Sequence, residues 1–226
     1  MSTGADRSWG VIAIDGPAAS GKTTLARRLA EELGLAWLDT GAFYRAAALA
    51  VLRAGADFGD EEGAVEVVRP RVISQEGGRT LLDGEDVETE IRTPRVTEAA
   101  SLVAVLPGVR RIMVRMQRRW VEERGGSAVV EGRDIGSVVF PDAPVKVFLT
   151  ADSDERARRR LAELGDAPEA SAVRESLSRR DRTDATRTAS PMRRMPDAVE
   201  INTTTLSPDE AAGRVLALVR AARAAE

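Results

Sequence analysis

Gly16-Pro17-Ala18-Ala19-Ser20-Gly21-Lys22-Thr23-Thr24 stands between an apolar run, Val11-Ile12-Ala13-Ile14, and a helical pattern, Leu25-Ala26-Arg27-Arg28-Leu29-Ala30. This is the G-x-x-x-x-G-K-[ST] spacing in the setting it requires: strand, loop, helix. Glycines allow backbone conformations that a side chain forbids, so successive N–H groups turn toward an anion. A helix starting near Lys22 adds the positive end of its dipole. Lys22 then reaches β- and γ-phosphates, and the Thr23 hydroxyl is a ligand for Mg²⁺. The alternative is an ordinary glycine-rich turn; the flanking strand and helix favour phosphate binding. Of the 33 basic residues only Lys22 and Lys146 are lysines, and the other 31 are arginines. A chain that writes arginine almost everywhere has kept lysine in this loop, where a compact ammonium fits among phosphates and a planar fork does not.

The composition narrows the chemistry. A chain of 226 residues is long enough for one sizeable core with an inserted or mobile part. Hydrophobic content of 43% and charged content of 31% are those of a soluble globular protein. Cysteine and histidine are both absent, which excludes disulfides, thiolate catalysis, Ser-His-Asp triads and His- or Cys-held metals. A hard cation on oxygen ligands remains. Met1 to Ser8 is short and polar, and no run of ~20 apolar residues occurs, so a cytoplasmic protein without membrane attachment is expected. A net charge of −3 does not favour nucleic acid as a partner.

Outward from the loop, strands and helices alternate. Strand Val11 to Asp15 is continuously apolar, as in a strand buried on both faces. The first helix runs to about Leu33 and stops at Gly34; Leu35 to Leu38 reads as a strand ending at Asp39-Thr40-Gly41. A helix from Ala42 to about Arg53 closes at Gly55. Asp39-Thr40-Gly41 matches the aspartic-protease signature, but that chemistry needs two carboxylates sharing a proton, and no second such motif follows. It reads instead as a strand end, where α/β sheets place ligand contacts.

A helical stretch, Glu61 to Arg69, leads to Pro70 and a hairpin: Arg71 to Gln75, the turn Glu76-Gly77-Gly78, Arg79 to Asp83, with a third strand near Val87. Asp60-Glu61-Glu62-Gly63 fits the GTPase D-x-x-G pattern, but no N/T-K-x-D base-reading motif accompanies it. Thr93-Pro94 opens a helix to about Val105, broken by Pro107, and a basic helix runs from Val109 to about Glu123. Strands follow at Ser127 to Val130 and Val145 to Leu149. Then come a helix from Asp152-Ser153 to Leu164, a hinge at Gly165 to Pro168, and a helix from Glu169 to about Arg182. Strand Ala198 to Ile201 and a helix opened by the capping box Ser207-Pro208-Asp209-Glu210 complete the chain. The pattern predicts about five parallel strands with helices on both faces and a small antiparallel insertion.

A phosphate loop alone does not name a reaction. Most of the arginines are solvated surface, but Arg45, Arg110, Arg118, Arg133 and the group from Arg156 to Arg187 stand at strand ends or beside glycine and proline breaks. Guanidiniums converging on one cleft suit a reaction between two phosphorylated ligands, which needs positioning and neutralisation more than covalent chemistry.

The chain resembles the bacterial cytidylate kinases along nearly its whole length. The resemblance rests on Ile14 to Thr24, on Leu38-Asp39-Thr40-Gly41-Ala42-Phe43-Tyr44-Arg45, on Gly132-Arg133-Asp134-Ile135-Gly136 through Phe140 to Leu149, and on Arg180-Asp181 with Asp184 and Arg187. It implies a three-layer P-loop NTPase fold and transfer of the ATP γ-phosphoryl group to CMP or dCMP, with Mg²⁺ as cofactor; a monomer is expected. It further implies core residues 1–59, a monophosphate-binding insertion at 60–105, and a remainder, 106–226, with a lid at about 153–190. Carried over by position, Gly16, Pro17, Ala18, Ala19, Ser20, Gly21, Lys22, Thr23 and Thr24 hold ATP phosphates, Thr23 facing Mg²⁺. Thr40, Tyr44, Arg45, Arg133 and Arg180 surround the CMP phosphate; Ser101, Arg110 and Asp134 read cytosine; Asp184 contacts the ribose. Lys22, Arg133, Arg159, Arg180 and Arg187 form the expected catalytic set, Arg159 acting with Arg156 and Arg160 in lid closure. Two departures are mild: Thr40 stands where serine is common, and Glu131 where aspartate also occurs.

The residue chemistry agrees. Cytosine offers its N4 amine as a donor, which the Asp134 carboxylate accepts, and its O2 and N3 suit Arg110 and Ser101. The alternative for Asp134 is a salt bridge to Arg133 or Arg110 that only orients the arginine. Two rival functions remain open: another small-molecule kinase, with Asp39 as its base, and a non-catalytic nucleotide switch.

Overall fold

A computed structural model describes residues 9–164 and 169–224. Its core is a five-stranded parallel sheet in the order β2-β6-β1-β7-β8, formed by β1 (Val11–Asp15), β2 (Ala36–Asp39), β6 (Ala128–Gly132), β7 (Val145–Thr150) and β8 (Val199–Asn202). Strand β1 is central, so the loop that leaves it opens at the middle of the sheet's C-terminal edge. Its side chains alternate between two cores. Val11 and Ala13 pack toward α2 (Thr40–Ala54), α4 (Pro94–Val103) and α5 (Pro107–Glu122). Ile12 and Ile14 pack toward α1 (Lys22–Leu33) and α8 (Pro208–Ala224). Burial on both faces is why the strands read as continuous apolar runs.

The hairpin is present as β3 (Ile73–Glu76), β4 (Arg79–Leu82) and β5 (Glu85–Asp86), an antiparallel three-stranded sheet with Ser74 opposite Leu81. Its apolar residues Ile73, Leu82 and Val87 belong to the same core as α2 and α4, as does Val68 of α3 (Glu61–Val68). Behind the hairpin turn lies a groove of about 700 Å³ whose walls include Trp37, Trp120, Gly77, Gly78, Arg27 and Arg124.

Several boundaries differ from expectation. Helix α2 begins at Thr40 rather than Ala42, because the Asp39 carboxylate caps it by accepting the Ala42 N–H at 3.1 Å. Pro107 opens α5 instead of breaking the chain before Val109; a proline has no N–H to satisfy in a first turn, and the next donor, Gly108, is met by Glu61 at 2.6 Å. Asp60 caps α3 through the Gly63 N–H, which accounts for the D-x-x-G spacing without a nucleotide. The Ser207–Glu210 capping box forms as expected: the Glu210 N–H donates to Ser207 Oγ at 3.2 Å, and the Ser207 N–H to Glu210 Oε2 at 2.8 Å.

A π-helical turn, Ile135–Val139, was not legible in the pattern. Both oxygens of Asp15, at the end of β1, hold its start by accepting the N–H groups of Ile135 and Gly136, each at 2.8 Å. Helix α6 (Ser153–Leu164) ends where expected, and α7 (Ala170–Thr186) runs past Arg182, so that Asp184 is a helical residue. The hinge expected at Gly165 to Pro168 lies outside the described residues.

Candidate active site

The phosphate loop fills the space between β1 and α1. Gly16 has φ 146°, and a Cβ there would meet the Leu149 carbonyl oxygen at 2.3 Å, so only glycine allows the chain to leave β1 against β7. Lys22 is the first residue of α1; its Nζ donates to the Pro17 carbonyl at 2.6 Å and lies 3.5 Å from Ser20 Oγ. Burial, with Arg133 nearby, draws the ammonium well below the ordinary lysine range. A negative charge placed beside it would restore it.

Thr23 donates its hydroxyl to Glu131 Oε2 at 3.0 Å, and the other Glu131 oxygen accepts the indole N–H of Trp37 at 3.2 Å. Glu131 is buried at the end of β6, and burial, together with the charge of Asp39, pushes its carboxyl above the usual range. The sequence reading noted this residue only as a departure. Its signal was present: an acidic residue closing a buried strand that pairs with the phosphate-loop strand. Among the described residues no group of three or more His, Cys, Asp or Glu could hold a metal ion. The Thr23 hydroxyl has an acceptor for its proton in Glu131, which leaves its oxygen with lone pairs of the kind Mg²⁺ would take beside phosphates and water.

One cleft of about 220 Å³ gathers most of the expected residues. Ala18, Ala19, Gly21, Lys22, Thr23 and Thr24 line one side; Gly16, Pro17 and Ser20 shape the loop without lining the cleft. Thr40, Tyr44, Arg45, Ser101, Arg133, Asp134, Arg180, Asp184 and Arg187 line the other. Arg110 stands just behind: it donates to the Ala104 carbonyl at 3.1 Å, pairs with Asp134, and lies 5.3 Å over the Tyr44 ring. Asp134 also faces Arg187 at 3.3 Å, Arg187 faces Asp184 at 3.3 Å, and Asp184 accepts from Arg133 at 2.9 Å. Burial would raise the Asp184 carboxyl, but Arg133, Arg187 and Arg180 together hold it below its usual range.

The buried Tyr44 hydroxyl makes no hydrogen bond, and Arg180 has neither a hydrogen bond nor an ion pair among the described residues. Burial and the neighbouring Arg133 lower the Arg180 guanidinium to about 10. A guanidinium without a direct partner, crowded by other cations, is the electrostatic form of an anion site.

Asp39 is fully engaged. One oxygen caps α2, and the other takes Arg45 at 2.8 Å and Arg92 at 3.3 Å. Burial would raise its pKa, but the two guanidiniums outweigh it and hold the carboxyl below its usual range. That removes it as the base of a hydroxyl kinase. Arg92, which lines the cleft, was missed by sequence reading.

Arg159 does not join the other four members of the expected catalytic set. It donates to the Thr203 carbonyl at 2.6 Å and to Thr203 Oγ1 at 3.1 Å, and it lines a neighbouring depression with Ser20, Gly21 and Thr24. Its helical neighbour Arg160 lines the cleft instead. Arg156 donates to the Ala18 carbonyl at 3.2 Å and pairs with Asp181.

A phosphate loop facing an arginine-lined anion pocket across one cleft defines a phosphate-loop phosphotransferase. The family description "Cytidylate kinase" matches residues 12–221. Similar proteins include a cytidylate kinase of Caldanaerobacter subterraneus subsp. tengcongensis, 47% identical over 92% of this chain and 94% of that protein. One from Mycobacterium leprae is 47% identical over 93% of this chain and 95% of its own. The chain belongs to the cytidylate kinase family. A solved structure of an uncharacterized protein from Eubacterium ventriosum has the same fold, with TM-score 0.53, 15% identity, and coverage of 95% of this chain and 99% of that one.

Proposed function

We propose that this chain transfers the γ-phosphoryl group of ATP to CMP or dCMP, giving ADP and CDP or dCDP. Family membership supports the reaction; the observation that supports its placement is Arg180, unpaired beside Arg133 and opposite Lys22. A monophosphate there is neutralised by Arg180, Arg133 and Arg45, with the Tyr44 hydroxyl as a further donor. The cytosine lies toward Ser101, Arg110 and Asp134, and the ribose toward Asp184. Lys22 and the loop N–H groups hold the ATP phosphates, and Arg187 reaches the shared centre.

The acceptor is a phosphate oxygen, already ionised, so no histidine or free carboxylate base is required. Catalysis is positioning and charge neutralisation by Lys22, Arg133, Arg180 and Arg187. Mg²⁺ bound with ATP would neutralise charge on the transferring phosphoryl group, and Thr23 is the residue that would hold it. Helices α6 and α7 form a lid that excludes water, and 60–105 forms the acceptor-side insertion; Arg159 falls on the ATP side of that lid. The enzyme works as a cytoplasmic monomer, without nucleic acid or membrane. Among the described residues no helix is long and apolar enough to cross a membrane.

A phosphoryl-transfer panel with CMP, dCMP, UMP, AMP and gluconate tests the reading. Turnover confined to CMP and dCMP supports it. Transfer to a sugar acid, or ATP hydrolysis indifferent to CMP, overturns it.

A further inference from the structure

Trp37 stands outside the cleft. Its ring forms a wall of the groove behind the hairpin, with the Arg27 guanidinium 5.4 Å over it. Its indole N–H points the opposite way, to Glu131 Oε1 at 3.2 Å. The register explains the reach. Trp37 is opposite Val129 and Asp39 opposite Glu131, so the indole spans diagonally to the residue two places further along β6. Among the described residues the Glu131 side chain makes two hydrogen bonds, this one and the one from the Thr23 hydroxyl at 3.0 Å.

An indole N–H only donates, so it fixes one carboxylate oxygen as an acceptor and sets the rotation of the group. Glu131 is 2% exposed, so no water replaces a lost donor cheaply. A carboxylate released by Trp37 would rotate off the Thr23 hydroxyl and leave its proton without that acceptor. We propose that Trp37 is a positioning residue for the Mg²⁺–nucleotide end of the site: it holds Glu131 so that the carboxylate accepts the hydrogen bond of the Thr23 hydroxyl and leaves that oxygen's lone pairs to the cation. This rests on the reading of Thr23 as the metal-holding hydroxyl.

The test is calorimetric binding of ADP to the full chain, with Mg²⁺ and with EDTA, for the wild type, Trp37→Phe, Glu131→Gln and the double variant. Trp37→Phe keeps the aromatic face under Arg27 and removes the donor. It is expected to weaken ADP binding about fivefold to tenfold with Mg²⁺ and to leave binding in EDTA unchanged. The KM for MgATP rises by a similar factor while the KM for CMP does not move. In the Glu131→Gln background the same change has no further effect, because the two residues act as one unit. Equal weakening with and without Mg²⁺, or an undiminished effect in the Glu131→Gln background, overturns the proposal. Should Trp37→Phe fail to give a cooperative thermal melt, Trp37→Leu carries the same comparisons. The ADP arms need no turnover, so failure to phosphorylate CMP would overturn the assigned reaction and leave them standing.

Discussion

The carboxylate of Asp181, on α7, accepts the main-chain N–H of Ala18, inside the phosphate loop, at 3.0 Å. Arg156, on α6, takes the carbonyl of the same residue and pairs with the same aspartate. Both polar groups of one loop residue are therefore held by the two helices above it, while Ala18, Ala157, Val173 and Leu177 pack into a small apolar cluster beside them. Loop shape and the seating of α6 and α7 are one variable.

Asp181→Ala should lower kcat with CMP by about tenfold or more, since a small misplacement of reacting groups costs rates of that order. It should also raise the fraction of ATP lost to water, because the cleft no longer closes around the reactants. Asp181→Asn keeps a carbonyl acceptor for the Ala18 N–H and should lose less. A coupled assay for CDP beside a phosphate-release assay measures both. Equal losses in the two variants would count against the Ala18 bond.

Lys22→Arg should remove about 99% of kcat/KM, some ~2.7 kcal/mol of transition-state stabilisation, without unfolding the protein. The ammonium lies between the Pro17 carbonyl and Ser20 Oγ, a setting for a point charge and not a planar fork. Steady-state kinetics and a thermal melt decide it; near-normal turnover with an unchanged melt sinks the idea.

Asp134→Asn should cut the CMP-to-UMP ratio of kcat/KM by roughly tenfold or more, because an amide can donate to the uracil O4 where the carboxylate repels it. The structure sharpens the alternative, since Asp134 already faces Arg110 and Arg187. If both substrates lose activity equally, Asp134 works by holding those guanidiniums.

Burial pushes the Asp15 carboxyl up to about 6, against the lowering effect of the two N–H groups it accepts. A folded pKa above the ordinary value means that the folded chain binds the extra proton between about pH 4 and 6. Stability therefore falls as pH rises through that window, by about 3 kcal/mol for a shift of this size. Asp15→Asn should flatten that slope in denaturant melts taken at successive pH values. A variant with the same slope as the wild type would place the titration elsewhere.

The sequence showed the phosphate loop, the strand end at Asp39, the Gly132-Arg133-Asp134 segment after a buried strand, and the alternation of strands and helices, because each is written in local spacing. What escaped it depends on pairing across long separations. Glu131 meets Thr23 across 108 positions, and Asp181 meets Ala18 across 163. No short motif carries either contact. Arg159 was misplaced for the same reason: the Thr203 carbonyl and hydroxyl that take it lie 44 positions away. The π-helical turn at Ile135–Val139 had no cap residue of its own to announce it, because its cap is Asp15, on another strand.

The groove behind the hairpin makes the protein its own optical gauge. Trp120 donates its indole N–H to the Gln75 carbonyl, on β3, at 3.1 Å, whereas Trp37 is bonded within the parallel sheet and shares only the groove with the turn at Gly78. Trp9, beneath Arg223, lines no wall of that groove. A displacement of the hairpin would wet one indole, graze a second and leave the third untouched. Emission from single-tryptophan variants would then resolve hairpin movement from lid movement during turnover, with no dye attached.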